Sequence, residues 1–245
     1  MEKLIGKNIT VSYEGANIIE DISIELNKGE IVCLLGVSGV GKTTLFNVIS
    51  GLLKPDEGIV ELDGRDITGK AGNVSYMLQK DLLLPYKTII DNVSLPLIIR
   101  GEKKQKAREF TAKYFEEFGL EGTENKYPFQ LSGGMKQRAA LLRTYLFSDQ
   151  VALLDEPFSA LDSITKSLMH EWYLQVMNQI KLSTLLITHD IDEAIILSDR
   201  IYIMAGKPGK ITEEIIIDVP KPRDKDFKVS ESFLEYKRHI LGILS

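Results

Sequence analysis

Polar and apolar residues alternate with period two early in the chain, in Asn8-Ile9-Thr10-Val11-Ser12-Tyr13 and again in Ile22-Ser23-Ile24-Glu25-Leu26. That pattern predicts short strands of a half-buried antiparallel sheet, with one face on a core and the other wet. Asn27-Lys28-Gly29 supplies a turn. The following Glu30-Ile31-Val32-Cys33-Leu34-Leu35 is apolar almost throughout, as in a central strand covered on both faces. From Lys42 to Leu53 the period lengthens: Leu45, Val48, Ile49 and Leu52 recur at three-to-four spacing, with Pro55 beyond, which predicts a helix. Ile59-Val60-Glu61-Leu62 and then Asp63-Gly64 read as a small strand and a tight turn.

Between about residues 85 and 147 the periodicity is helical, with Ala107, Phe110, Tyr114 and Phe118 marking one stripe of a helix. Apolar strands return at Val151-Ala152-Leu153-Leu154, Thr184-Leu185-Leu186-Ile187-Thr188 and Arg200-Ile201-Tyr202-Ile203-Met204, alternating with helices. The predicted class is α/β: a mostly parallel sheet, an N-terminal antiparallel β subdomain and an inserted α-helical subdomain. The expected divisions are roughly 1–84 and 148–219 for the core with its β subdomain, 85–147 for the insertion and 220–245 for a tail. After Pro220 and Pro222 the tail is charged until an amphipathic segment, Phe233 to Leu244, which either packs on its own domain or docks on a membrane or partner.

Composition narrows this little. At 245 residues and 44% hydrophobic, the chain suffices for one large α/β domain or two lobes sharing a core. Thirty Lys and Arg against 35 Asp and Glu leave a net charge of -5, so no whole-molecule basic field exists to hold a nucleic-acid backbone, and no nucleic acid is expected as a partner. The single cysteine, Cys33, cannot form an internal disulfide and reads as a core thiol in a reducing compartment. The start, Met1 to Asn8, has no apolar stretch behind a basic cluster. The richest apolar run, Ile89 to Ile99, is cut by Asp91, Asn92 and Pro96, so no membrane span is expected.

The chemistry begins at Gly36-Val37-Ser38-Gly39-Val40-Gly41-Lys42-Thr43, followed by Thr44, between an apolar strand and a helix. Backbone N–H groups of such a loop curl round a β-phosphate, and Gly36, Gly39 and Gly41 let the main chain approach without Cβ clashes. The helix starting near Lys42 points its positive dipole end at the same anion. Lys42 adds a point charge between the β- and γ-phosphates, and the Thr43 hydroxyl has the length to reach a bridging Mg²⁺. Alone, this loop implies binding of a nucleoside triphosphate.

Asp155-Glu156 follows an apolar strand at the edge of an α/β sheet where ligands bind. Asp155 suits the Mg²⁺ shell, and Glu156 is placed to polarise an attacking water as general base. In Leu131-Ser132-Gly133-Gly134-Met135-Lys136-Gln137-Arg138, Ser132 fits a helix cap and Gly133-Gly134 leave bare N–H groups for an anion.

These three motifs together resemble the ATP-binding cassette (ABC) family, and the resemblance covers nearly the whole chain. Others match in order. Tyr13 is similar to the aromatic that stacks on adenine, Gln79 in Tyr76-Met77-Leu78-Gln79 to the glutamine loop, Ser159-Ala160-Leu161-Asp162 to the aspartate loop, and His189 in Thr188-His189-Asp190 to the switch histidine. Taken singly, Tyr13 also fits a strand-surface aromatic, Gln79 a loop amide and His189 a strand-end histidine. Phe129 stands where relatives often carry a histidine.

The resemblance implies a Mg²⁺-dependent ATPase in which the Ser132-Gly133-Gly134 segment of one subunit closes over the nucleotide on the phosphate loop of another. It implies that His189 contacts the γ-phosphate, and that Gln79 senses metal or water and links to the helical lobe. One compact cassette without tandem repeats, coiled-coil insertion or basic linkers favours the ATPase of a bacterial importer. The alternatives are a soluble member acting on nucleic acid or ribosomes, or the ATPase of an exporter or lipoprotein-release complex. Leu82-Leu83-Leu84-Pro85-Tyr86, Ile90-Asp91-Asn92-Val93, Asp190-Ile191-Asp192-Glu193-Ala194 and the stretch from Ser198 to Ile211 resemble the nitrate, sulfonate and taurine group, which includes carriers of thiamine-precursor pyrimidines. The implied partners are a second ATPase chain of the same or similar kind, a polytopic membrane permease and, indirectly, an extracytoplasmic solute-binding protein, with the chain on the cytoplasmic face of the membrane. Leu82 to Leu97 reads either as the socket for a permease helix or as lobe core.

Overall fold

The computed structural model describes residues 2–148, 150–221, 223 and 226–244. Met1 and Pro222, which figure in the sequence expectations, lie outside them. The chain opens with two long strands, β1 (Glu2–Tyr13) and β2 (Ala16–Asn27), then β3 (Ile31–Gly36), α1 (Lys42–Ile49), β4 (Glu57–Leu62), β5 (Arg65–Asp66) and β6 (Ser75–Met77). A helical stretch follows: α2 (Ile89–Val93), α3 (Leu95–Ile99), α4 (Lys104–Ala112) and α5 (Gly133–Phe147). The alternation then resumes through β7 (Val151–Asp155), α6 (Ser163–Ile180), β8 (Ser183–Thr188), α7 (Ile191–Leu197), β9 (Arg200–Ala205), β10 (Lys210–Ile216) and α8 (Glu231–Leu244).

Two sheets result. The order β2-β1-β4-β5 is antiparallel throughout, and the order β10-β9-β3-β8-β7-β6 is parallel except for β10 on β9. The central strand β3 shows why its sequence has no polar face. Ile31, Cys33 and Leu35 enter a core shared with the helices, while Val32 and Leu34 enter a second core between the two sheets and α1. Residues alternate across a strand, so a strand lying between two cores must be apolar at every position. Cys33 is buried, and burial pushes its thiol well above the usual range, as an inert core group requires.

Two expectations change. The first helix ends at Ile49 rather than Leu53, because Gly51 turns the backbone at φ 77° and leaves Leu52 exposed. The stripe Ala107, Phe110, Tyr114, Phe118 is not one helix: α4 stops at Ala112, Phe110 is exposed, and a looser turn brings Phe115 and Phe118 into the core. Three strands had no sequence signal: β5 and β6 because they have two and three residues, and β10 because it is a mostly exposed edge strand.

The tail helix α8 packs on its own domain. Phe233 and Ile240 are buried, and Lys237 Nζ meets Asp192 Oδ1 on α7 at 2.6 Å. Arg223 fastens the segment before it, donating to the carbonyls of Ile195, Ile196 and Ser198 at the end of α7 and to those of Ile217 and Val219. A helix end leaves carbonyls without partners, and a guanidinium with five N–H groups can satisfy several of them. Among the described residues no helix is long and apolar enough to cross a membrane.

Candidate active site

The register β3–β8–β7 aligns Leu35 with Thr188 and Asp155 with Ile187, so three strands end at one sheet edge. The turns that follow carry the phosphate loop, Glu156 and His189, and β6 delivers Gln79 beside them. Ligands gather at this carboxyl edge of parallel strands. A cleft of about 470 Å³ opens there, lined by Ile18, Ser38, Gly39, Gly41, Lys42, Thr43, Thr44, Gln79, Asp155, Glu156, Ile187 and His189.

Within the loop, Gly41 has φ 105°, and a Cβ there would stand 2.4 Å from Ile19 Cγ2, so only glycine fits. Gly36 and Val40 are buried supports beneath the loop, and Val37 is exposed. Lys42 opens α1 and turns its ammonium back over the loop, donating to Gly36 O at 2.8 Å and Val37 O at 2.9 Å. Burial lowers its pKa, while the neighbouring Glu156 and Asp155 charges oppose the shift.

Thr43 Oγ1 and the Tyr76 hydroxyl each lie 3.4 Å from Asp155 Oδ2. Burial raises the Asp155 pKa, and the Glu156 charge adds to the rise. Glu156 sits at φ 46°, in the left-handed region that few non-glycine residues occupy, and its N–H bonds Ile187 O at 3.0 Å. Its two oxygens are both engaged: His189 Nδ1 lies 3.0 Å from Oε1, and Gln79 Nε2 donates to Oε2 at 3.1 Å. Gln79 also approaches Ser159 Oγ at 3.5 Å.

The arrangement suits a triphosphate with a hard divalent ion. A glycine-lined loop at a helix N-terminus and a lysine supply the anion site. Thr43 and Asp155 present two oxygens close together, which fit Mg²⁺. Among the described residues no group of three or more His, Cys, Asp or Glu could hold an ion. An ion here would complete its shell with phosphate and water.

The remaining candidates stand apart from the cleft. Tyr13 projects from the β1–β2 turn and is exposed. Ser132 caps α5 by accepting from Met135 N at 3.3 Å, with Gly133 and Gly134 opening that helix. A Cβ on Gly133 would lie 3.4 Å from Leu161 Cδ2, so this helix end abuts the Ser159–Asp162 turn. Asp162 caps α6 through the N–H groups of Ile164 and Thr165. Its carboxyl is held below the usual range by its bonds to Thr165. One chain therefore does not bring its own Ser132 segment to its own phosphate loop.

Sequence reasoning missed Tyr76 as a neighbour of Asp155 and Ile18 as the apolar wall. Tyr76 reaches Asp155 across 79 positions, a separation no local pattern encodes. Tyr76 also lines an apolar groove with Leu52, Leu82, Leu95, Pro96, Ile99 and Phe147. The run from Leu82 to Leu97 thus divides: Leu83, Ile89, Ile90 and Val93 are core, while Leu82, Leu95 and Pro96 face the groove.

The model of the ABC transporter family matches residues 19–159. The formylaminopyrimidine import ATP-binding protein ThiZ of Halalkalibacterium halodurans is 41% identical over 246 residues, covering 99% of this chain and 96% of that protein. The aliphatic sulfonates import ATP-binding protein SsuB of Bacillus cereus is 39% identical over 97% of this chain and 92% of its own length. The nitrate import ATP-binding protein NrtD of Synechocystis is 35% identical over 92% and 87%. A solved ATP-binding cassette dimer, in a post-hydrolysis state with ADP and Pi, superposes with a TM-score of 0.73 at 28% identity, over 89% of this chain and all of that one. With the phosphate loop, the Asp155-Glu156 pair and the separate Ser132 segment in place, this chain belongs to the ABC transporter family of ATP-binding proteins.

Proposed function

We propose that this chain is the ATP-hydrolysing subunit of a bacterial-type ABC importer, in which ATP-driven closure of two ATPase chains powers uptake of a small solute. The observation that carries the reading is Glu156, held in a left-handed conformation between Gln79 and His189 at the mouth of the phosphate loop. That importers of formylaminopyrimidine, aliphatic sulfonates and nitrate have ATP-binding subunits similar along nearly their whole length supports import over export.

In this reading the residues from Gly36 to Thr44 wrap the phosphates, Lys42 neutralises charge between the β- and γ-phosphates, and Tyr13 stacks on the base. Thr43, Asp155 and Gln79 would hold Mg²⁺, which would neutralise negative charge on the phosphates. Glu156 takes a proton from the attacking water as its oxygen bonds the γ-phosphorus; the bond from that phosphorus to the β-γ bridging oxygen breaks, leaving ADP and phosphate. His189 steadies the transferred phosphoryl group. Ser132, Gly133 and Gly134 of a second copy close over the γ-phosphate, and Asp162 borders that junction; the dimeric state of the solved relative supports a shared site. The apolar groove lined by Tyr76, the neighbour of Asp155, receives a short helix of a membrane permease at the cytoplasmic face, which ties nucleotide state to transport. An extracytoplasmic binding protein delivers the solute.

The test is Glu156→Gln. The reading expects ATP to bind and hydrolysis to collapse; hydrolysis at the parental rate would reject Glu156 as the base.

A further inference from the structure

Behind His189 lies a set of buried polar groups that hydrolysis as described does not use. Glu193 on α7 is 3% exposed, and two side chains from other elements hold its carboxylate. His170 Nε2 on α6 lies 2.9 Å from Oε1, and the hydroxyl of Thr188, the last residue of β8, donates to Oε2. Thr188 Oγ1 in turn accepts the Asp190 N–H at 3.1 Å, and Asp190 Oδ1 accepts the Glu193 N–H at 3.2 Å. Lys166 Nζ reaches Asp190 Oδ2 at 3.2 Å.

The direction of these bonds can be read. His170 is buried and its Nδ1 has no hydrogen-bond partner among the described residues. A proton there would be a buried donor without an acceptor, so the ring carries its N–H at Nε2, facing Glu193. Glu193 therefore accepts from both His170 and Thr188. Thr188 has its proton committed to Glu193 and its lone pair to Asp190 N–H. The residues on either side of His189 are thus pinned by one hydroxyl, whose orientation Glu193 dictates. The His189 side chain is itself 55% exposed, and it meets the carboxylate of Glu156.

We infer that Glu193, acting through Thr188 and braced by His170, is a positioning residue that holds the switch histidine His189 on line with Glu156 and the γ-phosphate. The inference rests on the ATPase reading above. A reacting group misplaced by about 1 Å can cost on the order of 100-fold in rate, and an exposed ring on a two-residue turn has little else to fix it.

Thr188→Val keeps the shape and removes the hydroxyl; Thr188→Ser keeps the hydroxyl. In steady-state ATPase assays of the full chain, Thr188→Val is expected to lower kcat about tenfold with less than about a twofold change in KM for ATP, and Thr188→Ser to stay near the parent. The chain has three histidines, so the imidazole ¹⁵N signal of His189, assigned with His189→Ala, should move in Thr188→Val and return in Thr188→Ser. A kcat near the parent, equal losses in both variants, or a rate loss with an unmoved His189 signal would each overturn the inference. If Thr188→Val does not fold, Glu193→Gln carries the same test, and if neither folds the network is core support and the positioning role is overturned. His189→Ala at the parental rate would instead overturn the role of His189 itself.

Discussion

The His189 imidazole meets the Glu156 carboxylate at 3.0 Å, Nδ1 to Oε1, although the two residues leave different strands. Gln79 takes the other oxygen from a third strand end. A carboxylate gripped on both oxygens has a set orientation, so replacing it with an amide of the same shape isolates its role as base. Glu156→Gln should lower ATP hydrolysis by about 10²–10⁴-fold while ATP still binds. If ATP closes two chains together as proposed, the variant should elute as a dimer in gel filtration with ATP present, because hydrolysis does not reopen it.

Lys42 spends its ammonium on two loop carbonyls and lies where phosphate oxygens would enter. Charge-assisted hydrogen bonds contribute about 1.5–3 kcal/mol. Lys42→Ala should therefore weaken ATP binding by roughly 10–100-fold in a fluorescent-nucleotide titration. Unchanged affinity would remove Lys42 from the site.

Ser132 caps α5 away from the cleft of its own chain. If it completes the site of a partner, Ser132→Arg and Glu156→Gln should each be inactive alone and gain activity on mixing, since the mixed dimer holds one site with neither change. Mixed activity equal to the average of the two separate variants would argue against shared sites.

Gly209 braces the phosphate loop from behind. Its N–H bonds Ile18 O at 2.9 Å, its carbonyl accepts Glu20 N–H at 3.0 Å, and a Cβ would fall 2.0 Å from Val40 O. Gly209→Ala must displace that backbone, and overpacking of this kind costs about 1–3 kcal/mol. A lowered melting temperature together with weaker nucleotide binding is the expected pair; an alanine variant with both unchanged would refute the bracing.

In the helical stretch, Arg108 grips Asp91 with two bonds, Nε to Oδ1 at 2.8 Å and Nη2 to Oδ2 at 2.7 Å, and Lys104 adds a third contact. The Arg108 hydrogen bonds hold the Asp91 pKa down to about 2. Because the folded value lies below the unfolded one of about 3.9, the stabilisation is present above about pH 4 and is lost as pH falls towards 2. Urea titrations should show Asp91→Asn less stable than the parent by about 1 kcal/mol at pH 7, with the gap closing between pH 4 and 2. A gap that does not change with pH would remove the charge from the explanation.

Local pattern carried the site's inventory. The phosphate loop, the carboxylate pair after β7 and the capped helix at Ser132 are short runs whose chemistry depends on neighbours in sequence, so they are legible without a fold. The apolar run of β3 likewise announced a strand covered on both faces, because burial on two sides leaves no polar position there. The helix stripe through Phe118 failed because apolar spacing cannot distinguish a continuing helix from a turn that returns to the same core.

What the sequence by itself determined is therefore which residues could serve a nucleotide, and the α/β class that would present them. Only the tertiary structure decided that Glu156 lies between Gln79 and His189, that Tyr76 stands against Asp155, and that Thr188 and Glu193 lock together beneath His189. The physical reason is range: a motif is set by covalent neighbours, whereas these contacts join separate strand ends and helices. Their partners are chosen by sheet order and register, which the packing of two cores settles together.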